Sequence, residues 1–487
     1  MKKKIKVLDL FAGGGGFSTG FQLAHYNDLE YEIVKALEIN DDACRTLEKH
    51  LGKEKVFKGD ITNPIVKEKL IYECNDVDMI IGGPPCQTFS LAGPARSGTK
   101  EMREALKNDP RNTLYKHFFD LVNKIKPKFV VFENVVGIAS KKVESEGLSN
   151  KESQVIELIC DELDSMGYKT EIGESFTERY QILNAADYGV PQYRKRIIIL
   201  ANKLDLINPV PEKIERLMTV RDAISHLPLR LPIISKISLE RIKNNDIILK
   251  NLSFCISVFL EKIFELIEQE KDLETKSKLT DLYITLIPEY EKIKNRKSYK
   301  LHALEKFLSI YNEKVIQLCL DENISANSDT IHSSRQHNFR DIIIFILTKQ
   351  GSNSSRFIDK KSSDYNQLLS DLYPYNRNKH KDTYVKHSWD RPSNTILAHM
   401  EKDGLKFIHP VQPRTYTPYE AALIQSFPKD YSFSGGRNAQ YRQIGNAVPP
   451  LMAKAIAISI LKLIDDNRET YDVFEDRENE TKLVVEV

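Results

Sequence analysis

The chain has 487 residues, of which 41% are hydrophobic and 29% are charged. This composition excludes bulk disorder and collagen-like repeats, and the length predicts roughly two to four globular domains. Lysine and arginine number 71 against 69 aspartates and glutamates, so the net charge is +2. A uniformly polycationic coat for nucleic acid is therefore excluded, whereas a local basic groove is not.

The cysteine pattern and the apolar runs indicate a protein of the reducing cytoplasm. The six cysteines include no C-x-x-C pair, which argues against a disulfide framework and against a zinc ribbon. Asp9 interrupts the apolar run that follows the first lysines, so we interpret this run as a strand rather than a signal peptide. The apolar stretch near the other end contains Lys454 and Lys462, and we expect no contact with a membrane.

The first part of the chain, to about residue 202, alternates short apolar runs with amphipathic stretches. This alternation predicts an α/β domain with a mostly parallel sheet. Apolar residues at three and four spacing predict helices over Asn112–Ile125 and Gln154–Met166. The predicted strands are Ile5–Leu10, Ile33–Leu37, Val77–Ile81, Phe129–Phe132 and Ile197–Leu200.

A different composition follows in the region that we expect to form a second, smaller domain, residues 203–435. Its Lys/Glu/Ile/Leu-rich part, about 238–323, has apolar residues at helical spacing and predicts an inserted pair of helices. The basic run at 291–300 either follows a phosphate backbone or forms a solvated face.

Local signals also predict how the last helices begin and end. Thr417, Pro418 and Glu420 form a predicted capping box, with the threonine as the N-cap and the glutamate reaching back to it. The last helix is expected over Pro450–Ile464. The acidic tail from Asp465 onward has little apolar surface, so we expect it not to pack firmly.

Three successive strand ends carry groups suited to a nucleotide-like ligand. The glycine turn FAGGGG follows the first strand, where backbone amides meet such ligands. Glu38 ends the next strand, where a carboxylate accepts from ribose hydroxyls, and Asp60 stands at a third strand end, suited to an adenine amino group. The turn alone is also consistent with strand–helix packing, and either acid alone with a cap or a turn.

The segment GGPPCQTFS, residues 82–90, carries the sharpest signal. Glycines and prolines fix a turn after a strand, and Cys86 stands just past it. A buried cysteine is usually inert, but this polar loop favours a nucleophile. Glu133 and Asn134 end another strand at the same sheet edge, where a carboxylic acid can protonate a substrate ring nitrogen while a thiolate adds to the ring. Helix capping is the alternative for this glutamate.

The segment QYRKRIIIL places Gln192, Arg194 and Arg196 at alternate positions, so both arginines point to one face of a strand. Two guanidinium groups on one face can hold a phosphate or a base carbonyl. A pair of surface salt bridges is the alternative explanation.

Together these segments resemble the DNA cytosine-5 methyltransferases, over nearly the whole chain except residues about 205–330. The matching motifs, in the order of the family, are DLFAGGGGFSTGF, ALEIN, GDIT, GGPPCQTFS, DPRNTLYKHFF, ENV, QYRKR, DRPSNTI and QIGNAVPP. The resemblance implies an α/β, Rossmann-like S-adenosylmethionine-dependent methyltransferase fold. Its catalytic domain would comprise 1–202 completed by 436–487, and its smaller target-recognition domain 203–435 would carry the helical insert.

The resemblance also implies roles for single residues. Cys86 would add to carbon 6 of a cytosine, Glu133 would hold and protonate ring nitrogen 3, and Arg194 and Arg196 would orient the base and its phosphate, without a metal. The residues implied for S-adenosylmethionine are Phe11, Gly13, Gly14, Gly15, Glu38, Ile39, Asp60, Ile61, Pro85, Leu114 and Asn446. Those implied for the base or the DNA are Pro85, Gln87, Ser90, Arg96, Asn134, Gln192, Arg335, His337 and Arg340.

The expected substrate is a cytosine flipped out of duplex DNA, because its reactive atoms are unreachable inside the stack. The stretch Leu91–Asp109 would close over the flipped base, and the region between QYRKR and DRPSNTI would read the major groove. For Arg335, His337 and Arg340, hydrogen bonding within the recognition domain is an equally good explanation.

The resulting prediction is the modification enzyme of a restriction system, acting as a cytoplasmic monomer on double-stranded DNA, with any cognate endonuclease acting separately. Two alternatives remain: a tRNA cytosine-5 methyltransferase on the same framework, and a catalytically silent DNA-binding regulator. The strand ENV lacks the second cysteine of the usual RNA enzymes. Retention of Cys86, Glu133 and the cofactor motifs argues against a silent protein.

Overall fold

The structure is a computed structural model that describes residues 2–85, 113–144, 152–173, 177–235, 246–295, 300–321, 330–353, 363–376 and 383–474. Its contacts divide the chain into two compact units, each of which is described by itself below. Unit 1 comprises Met1–Met218 and Gln425–Val487, and unit 2 comprises Thr219–Ile424.

The described strands lie mostly in unit 1. They are β1 Lys3–Leu10, β2 His25–Tyr26, β3 Leu29–Glu38, β4 Val56–Lys58, β5 Met79–Gly82, β6 Phe129–Val135, β7 Lys142–Glu144, β8 Glu152–Gln154, β9 Gln181–Asn184, β10 Lys195–Asn202, β11 Ile233–Ile234 and β12 Gln336–His337. The main sheet of unit 1 has eight strands in the order β2-β3-β1-β5-β6-β10-β9, with β4 also paired to β3. β1, β3, β4, β5 and β6 run parallel, whereas β2, β9 and β10 pair antiparallel. The predicted α/β fold with a mostly parallel sheet is confirmed.

The helices connect and cover these strands. They are α1 Gly16–Gln22, α2 Asp41–Leu51, α3 Pro64–Glu73, α4 Leu114–Ile125, α5 Val155–Ser165, α6 Val220–Ile224, α7 Asp246–Lys250, α8 Leu252–Gln269, α9 Leu273–Asn295, α10 Lys300–Asp321, α11 Phe339–Leu347, α12 Ser363–Leu372, α13 Met400–Asp403, α14 Pro418–Ile424, α15 Arg437–Asn446 and α16 Pro450–Asp466. Helices α1 to α5, α15 and α16 belong to unit 1, and the others belong to unit 2.

Alternating side chains of the central strands enter two separate cores, one on each face of the sheet. On β6, Phe129 and Val131 pack in the core that contains α1 and α16. Val130 and Phe132 pack in the core that contains α4 and α5. Both faces of the sheet are therefore covered, as is usual for parallel sheets.

Helix α16 closes unit 1 against α1. Gly20 permits this packing, because a Cβ at that position would lie 2.5 Å from the carbonyl oxygen of Pro450. Within the described ranges, the stretch Arg437–Asp466 alone is long and apolar enough to cross a membrane, judged by length and composition. However, 67% of its apolar window is buried inside the fold, and buried core helices satisfy the same criterion.

The prediction of a loosely packed tail after Asp465 is wrong for the residues up to 474. Tyr471 is 1% exposed, and its hydroxyl donates to Asp78 Oδ1 at 3.0 Å. The same carboxylate accepts from the buried Lys128 Nζ at 2.5 Å. One aromatic side chain and a buried ion pair therefore hold a segment whose composition is mainly polar.

The predicted pair of inserted helices is also wrong, because the insert contains three long helices, α8, α9 and α10, preceded by the short α7. The chain reverses between α8 and α9 within residues 270–272, which contain neither glycine nor proline. Buried side chains of the three helices share one core with α11 and α12. Asn312 on α10 also donates to and accepts from the backbone of Ile234 in β11, both at 2.9 Å. The insert is thus an integral part of unit 2.

Two local features of unit 2 can be compared with the sequence. The capping box is confirmed, because the Thr417 amide donates to Glu420 Oε2 at 2.8 Å and the Glu420 amide donates to Thr417 Oγ1 at 3.2 Å. In the basic run, Lys292 pairs with Glu289 at 2.8 Å. This pairing favours the explanation that the described part of the run is a solvated helix face. Residues 296–299 of the run lie outside the residues that the structure describes.

The units divide at 218/219 and 424/425, whereas the sequence placed the boundaries at 202/203 and 435/436. The Ile214 amide donates to the Asp187 carbonyl at 2.9 Å, which keeps the chain after β10 with unit 1. Gln425 donates to the carbonyls of Ile444 and Ala447, which places the later boundary earlier in the chain.

Candidate active site

The glycine turn after β1 lies at the carboxyl end of the parallel strands. Phe11 and Gly13 both have positive φ, 62° and 56°. This conformation is ordinary for glycine but strained for phenylalanine, and such strain concentrates at functional sites. A Cβ at Gly13 would meet only the Phe11 carbonyl oxygen, at 3.9 Å, so the space beside Gly13 is open to a ligand.

Gly14 and Gly15, also predicted for the cofactor, are enclosed by protein. A Cβ at Gly14 would lie 3.0 Å from the ring of Phe433, and one at Gly15 would collide with the Tyr431 hydroxyl. These two glycines are therefore needed for close packing in unit 1, and Gly13 alone of the three faces open space.

Glu38 ends β3 beside the turn, and three backbone amides hold its carboxylate. The Gly13 amide donates to Oε2 at 2.8 Å, while the amides of Ile39 and Asn40 donate to Oε1 at 2.9 and 2.8 Å. A carboxylate has about four lone-pair sites, so one acceptor site remains for a ribose hydroxyl. Ile39, the next predicted cofactor residue, is 61% exposed and available for contact.

Asp60 follows β4, which pairs with the end of β3. Its Oδ1 accepts from the amide and the hydroxyl of Thr62, at 2.9 and 2.8 Å. These bonds orient the exposed carboxylate and leave Oδ2 for a donor such as an adenine amino group. Ile61 is 3% exposed and packs in the core below.

Two further predicted residues come from helix ends. Leu114 is the first residue of α4 and packs at the edge of the core that also borders Phe11. Asn446 is the last residue of α15 and is exposed. The open Gly13, the oriented acids and these side chains are chemically suited to the polar and adenine parts of S-adenosylmethionine.

The loop after β5 passes beside a carboxyl group. A Cβ at Gly83 would lie 2.6 Å from Glu133 Oε2, so the loop passes directly beside this group. The exposed Pro85 is the last described residue of the loop. The predicted nucleophile Cys86, the predicted contacts Gln87, Ser90 and Arg96, and the predicted loop 91–109 lie outside the described residues.

Glu133 is 9% exposed at the end of β6. Its Oε1 lies 2.8 Å from Arg196 Nε, in an ion pair that orients the carboxyl group. Burial raises the pKa of Glu133, and the positive charges of Arg196 and Arg194 act in the opposite direction. A carboxyl group with a raised pKa, fixed beside the Pro85 loop, has the properties of a general acid.

Arg194, which is predicted to orient the base and its phosphate together with Arg196, is buried in the protein. Its side chain is 1% exposed, and Nη2 donates to the Gly445 carbonyl at 2.9 Å. Alternation along the strand correctly placed it near Arg196, but the residue that it contacts comes from the closing motif. The geometry therefore assigns Arg194 to holding Gly445, the residue before Asn446.

Gln192 and Asn134, both predicted for the base or the DNA, are also buried and bond within the protein. Gln192 is 0% exposed and donates to the Gln425 side chain. Asn134 is 4% exposed and donates to the Pro84 carbonyl at 3.2 Å. They brace the closing motif and the loop after β5.

In unit 2, the three predicted DNA contacts differ in their exposure. His337 is 3% exposed, and Nε2 accepts from the Thr415 amide at 3.4 Å, which favours a structural role. Arg340 lies 3.1 Å from Asp341 and is partly exposed. The Arg335 guanidinium is partly exposed and lies against Gly404, where a Cβ would approach it to 2.9 Å.

The sequence did not identify the residues that hold the turn and the closing motif together. Tyr431 donates to the Gly14 carbonyl at 2.8 Å, and Gln443 accepts from Thr46 Oγ1 at 2.6 Å. Gln443 begins the motif QIGNAVPP, whereas Tyr431 lies 12 residues earlier, and no local pattern predicts what either side chain contacts.

Comparisons with known proteins agree with this architecture. The sequence profile described as C-5 cytosine-specific DNA methylase matches residues 5–462. The type II methyltransferase M.DdeI of Desulfomicrobium norvegicum is 30% identical, over 95% of this chain and 91% of its own. The type II methyltransferase M.Bpa9945I of Bacillus paralicheniformis is 28% identical, over 94% of this chain and 99% of its own.

A solved structure supports the fold. A prophage-encoded DNA modification methyltransferase structure from E. coli aligns with a TM-score of 0.53 at 22% identity, and the match covers 95% of this chain and 99% of that one. Because the family profile matches far more than half of the sequence, membership is established. The chain belongs to the C-5 cytosine-specific DNA methylase family.

Proposed function

We propose that this protein is a site-specific DNA cytosine-5 methyltransferase that uses S-adenosylmethionine and serves as the modification enzyme of a type II restriction system. Family membership supports the reaction class. The observation that best supports this proposal is the buried Glu133, which pairs with Arg196 at 2.8 Å and lies beside Gly83 in the loop that precedes Cys86.

Glu133 would bind ring nitrogen 3 of a flipped cytosine and supply its proton. Protonation there makes carbon 6 electrophilic, so it assists the addition of a thiolate. Arg196 would keep the carboxyl group in position, and Asn134 would fix the loop through Pro84. The role of Arg194 would be indirect, through the closing motif.

Cys86 would form the covalent bond to carbon 6, which leaves an electron pair at carbon 5. S-adenosylmethionine, when bound, supplies an electrophilic methyl group to that carbon. A base then removes the carbon 5 proton, the bond between sulfur and carbon 6 breaks to release the Cys86 thiolate, and ring nitrogen 3 returns its proton to Glu133, which gives neutral 5-methylcytosine. Glu38, Asp60 and Asn446 would hold the methyl donor, with Phe11 against its adenine.

The proposed partner is double-stranded DNA, bound by one copy of the chain. The target base would leave the stack to reach the site, as in other base-modifying enzymes. A cognate endonuclease, if the host encodes one, would act as a separate protein. The proposed location is the cytoplasm, on the nucleoid when DNA is bound.

The test is transfer of labelled methyl groups from S-adenosylmethionine to duplex DNA and to bulk tRNA in parallel, followed by mapping of the product at base resolution. We expect 5-methylcytosine confined to one short DNA motif. Label in tRNA alone would establish the RNA alternative. Label in neither, with the cofactor bound, would establish the silent DNA-binding alternative.

Two variants separate chemistry from cofactor binding. Cys86→Ala should abolish methyl transfer and leave the affinity for S-adenosylmethionine within twofold of wild type. Phe11→Ala should weaken the cofactor affinity. Loss of cofactor binding in the cysteine variant would instead assign Cys86 a structural role.

A further inference from the structure

The glycine turn contains one peptide that is held from both sides. The Gly15 amide donates to the Ala12 carbonyl at 2.9 Å. The Gly14 carbonyl, at the other end of the same peptide, accepts from the Tyr431 hydroxyl at 2.8 Å. Because these bonds fix both ends of one peptide plane, they fix the path of the turn beside Gly13.

Tyr431 is itself held rigidly, although it comes from a segment far along the chain. It is 5% exposed, and its ring stacks on His50 with centroids 3.7 Å apart and an angle of 10°. Phe427 and Phe433 pack against it with centroids at 4.8 and 5.2 Å. The Thr19 side chain also bonds to the hydroxyl, and burial raises the pKa of Tyr431, so the hydroxyl stays a donor at all working pH values.

Gly13, the open position of the turn, contacts one of the residues proposed to bind the cofactor. The Gly13 amide donates to Glu38, which is also held by the amides of Ile39 and Asn40. Movement of the Gly14–Gly15 peptide would therefore shift Gly13 relative to the carboxylate. The Tyr431 hydroxyl thus bonds to the peptide that follows the open position of the turn.

We propose that Tyr431 is a positioning residue for the methyl-donor site, which acts by holding the Gly14 carbonyl and so setting the turn for the cofactor. This inference rests on the cofactor assignment in the proposed function. Cofactor affinity would then depend on Tyr431, a residue that belongs neither to the glycine turn nor to the acids at the strand ends.

The test compares Tyr431→Phe with the matched control Tyr31→Phe. Tyr31 is also a buried tyrosine in unit 1, and its hydroxyl donates to the Ala457 carbonyl at 2.9 Å. It lies seven residues before Glu38 on β3, roughly 20 Å away along the strand. Each variant removes one buried hydroxyl that donates to a backbone carbonyl, and the control does so away from the turn.

We expect Tyr431→Phe to raise the dissociation constant of S-adenosylhomocysteine, measured by calorimetry without DNA, by about 3- to 10-fold. The KM for S-adenosylmethionine should rise similarly, with kcat changed less than twofold. Both variants should lower the melting temperature by about 2 to 4 °C. Tyr31→Phe should leave the dissociation constant of S-adenosylhomocysteine and the KM for S-adenosylmethionine unchanged. The inference would be overturned if Tyr431→Phe bound S-adenosylhomocysteine as tightly as wild type does. It would also be overturned if both variants weakened that binding equally.

Hydrogen exchange on the protein without cofactor gives a second, independent readout. Tyr431→Phe should accelerate exchange of the amides in residues 12–16 specifically, whereas Tyr31→Phe should not. Unchanged exchange there would also overturn the inference. If wild-type protein binds the cofactor but methylates no nucleic acid, the proposed function fails, and these measurements still decide the role of Tyr431.

Discussion

The carboxyl group of Glu133 has the surroundings that a general acid requires, namely burial, a raised pKa and an orienting ion pair with Arg196. Glu133→Gln keeps the shape and removes the proton donor. We expect the rate of methyl transfer in single-turnover assays to fall roughly 100- to 10,000-fold, with the affinity for S-adenosylhomocysteine unchanged. Glu162→Gln is the matched control, because burial also raises the pKa of that glutamate on α5. A smaller loss of the methyl-transfer rate in Glu133→Gln than in Glu162→Gln would contradict the assignment of Glu133 as the general acid.

Asp9 gives a residue-scale prediction about stability and pH. It is 1% exposed at the end of β1, and burial raises its pKa from 3.8 to about 7. The folded chain therefore holds this proton more tightly than the unfolded chain, and its contribution to the free energy of unfolding falls as pH rises from about 4 to about 7. We expect Asp9→Asn to reduce the loss of stability between pH 5 and pH 8 in urea titrations, by on the order of 1 to 4 kcal/mol.

A control for this effect is Asp28→Asn. The Arg468 side chain lowers the pKa of Asp28, so this group stays ionised from pH 5 to pH 8 and its removal should leave the wild-type pH dependence intact. An Asp9→Asn protein with the same pH dependence as wild type would show that Asp9 is ionised in the fold.

The sequence placed Glu38, Asp60 and Glu133 at one edge of the sheet because parallel strands end together there. It did not predict that Gln192 and Arg194 are buried, since alternation gives the face of a strand and not what covers that face. The atom that Arg194 contacts belongs to Gly445, 251 positions away. Such a contact depends on the tertiary fold, which local spacing does not contain.

At the scale of elements, apolar runs of four to six residues predicted the central strands well. The edge strands β2 and β9 were missed because they have two and four residues and are partly exposed. The helical insert was predicted as two helices, since no glycine or proline marks the turn at 270–272. Conversely, Pro288 lies inside α9 without ending it.

The segment after α16 gives an element-scale prediction. Asp78 accepts from Lys128 and Tyr471, all three of which are buried. Asp78→Ala leaves an uncompensated lysine and should lower the free energy of unfolding by about 3 to 5 kcal/mol. Asp76→Ala, which removes an exposed partner of Lys6, should cost about 0 to 1 kcal/mol. Urea unfolding measures both, and equal losses would show that the buried group has no special role.

At the scale of the molecule, the residues proposed for the cofactor belong to unit 1, and the three-helix insert belongs to the core of unit 2. The sequence predicted this division of roles from the position of the motifs. The boundaries of the two units differ from the predicted ones, because side chains such as Gln425 bond to residues of unit 1 that follow them in the chain. We therefore expect the proposed cofactor binding and the proposed DNA recognition to depend on separate cores.

A charge in the core of unit 2 tests this separation. Phe259 on α8 is 1% exposed and contacts Phe307, Tyr311 and Phe339, so Phe259→Asp removes an aromatic contact set and buries a carboxylate. The expected cost, more than about 4 kcal/mol, is a large share of the stability of one domain. Phe264→Asp changes a side chain that is 50% exposed on the same helix and should be tolerated.

We expect Phe259→Asp to abolish methylation of DNA while S-adenosylhomocysteine still binds within about threefold of the wild-type affinity, because the proposed cofactor site draws its described residues from unit 1 alone. Limited proteolysis should cut the variant within 219–424 and spare unit 1. If cofactor binding is lost together with methylation, the two cores are not independent, and unit 2 must contribute to the stability of the cofactor site. Retained methylation would mean that the insert can be disrupted without loss of DNA recognition.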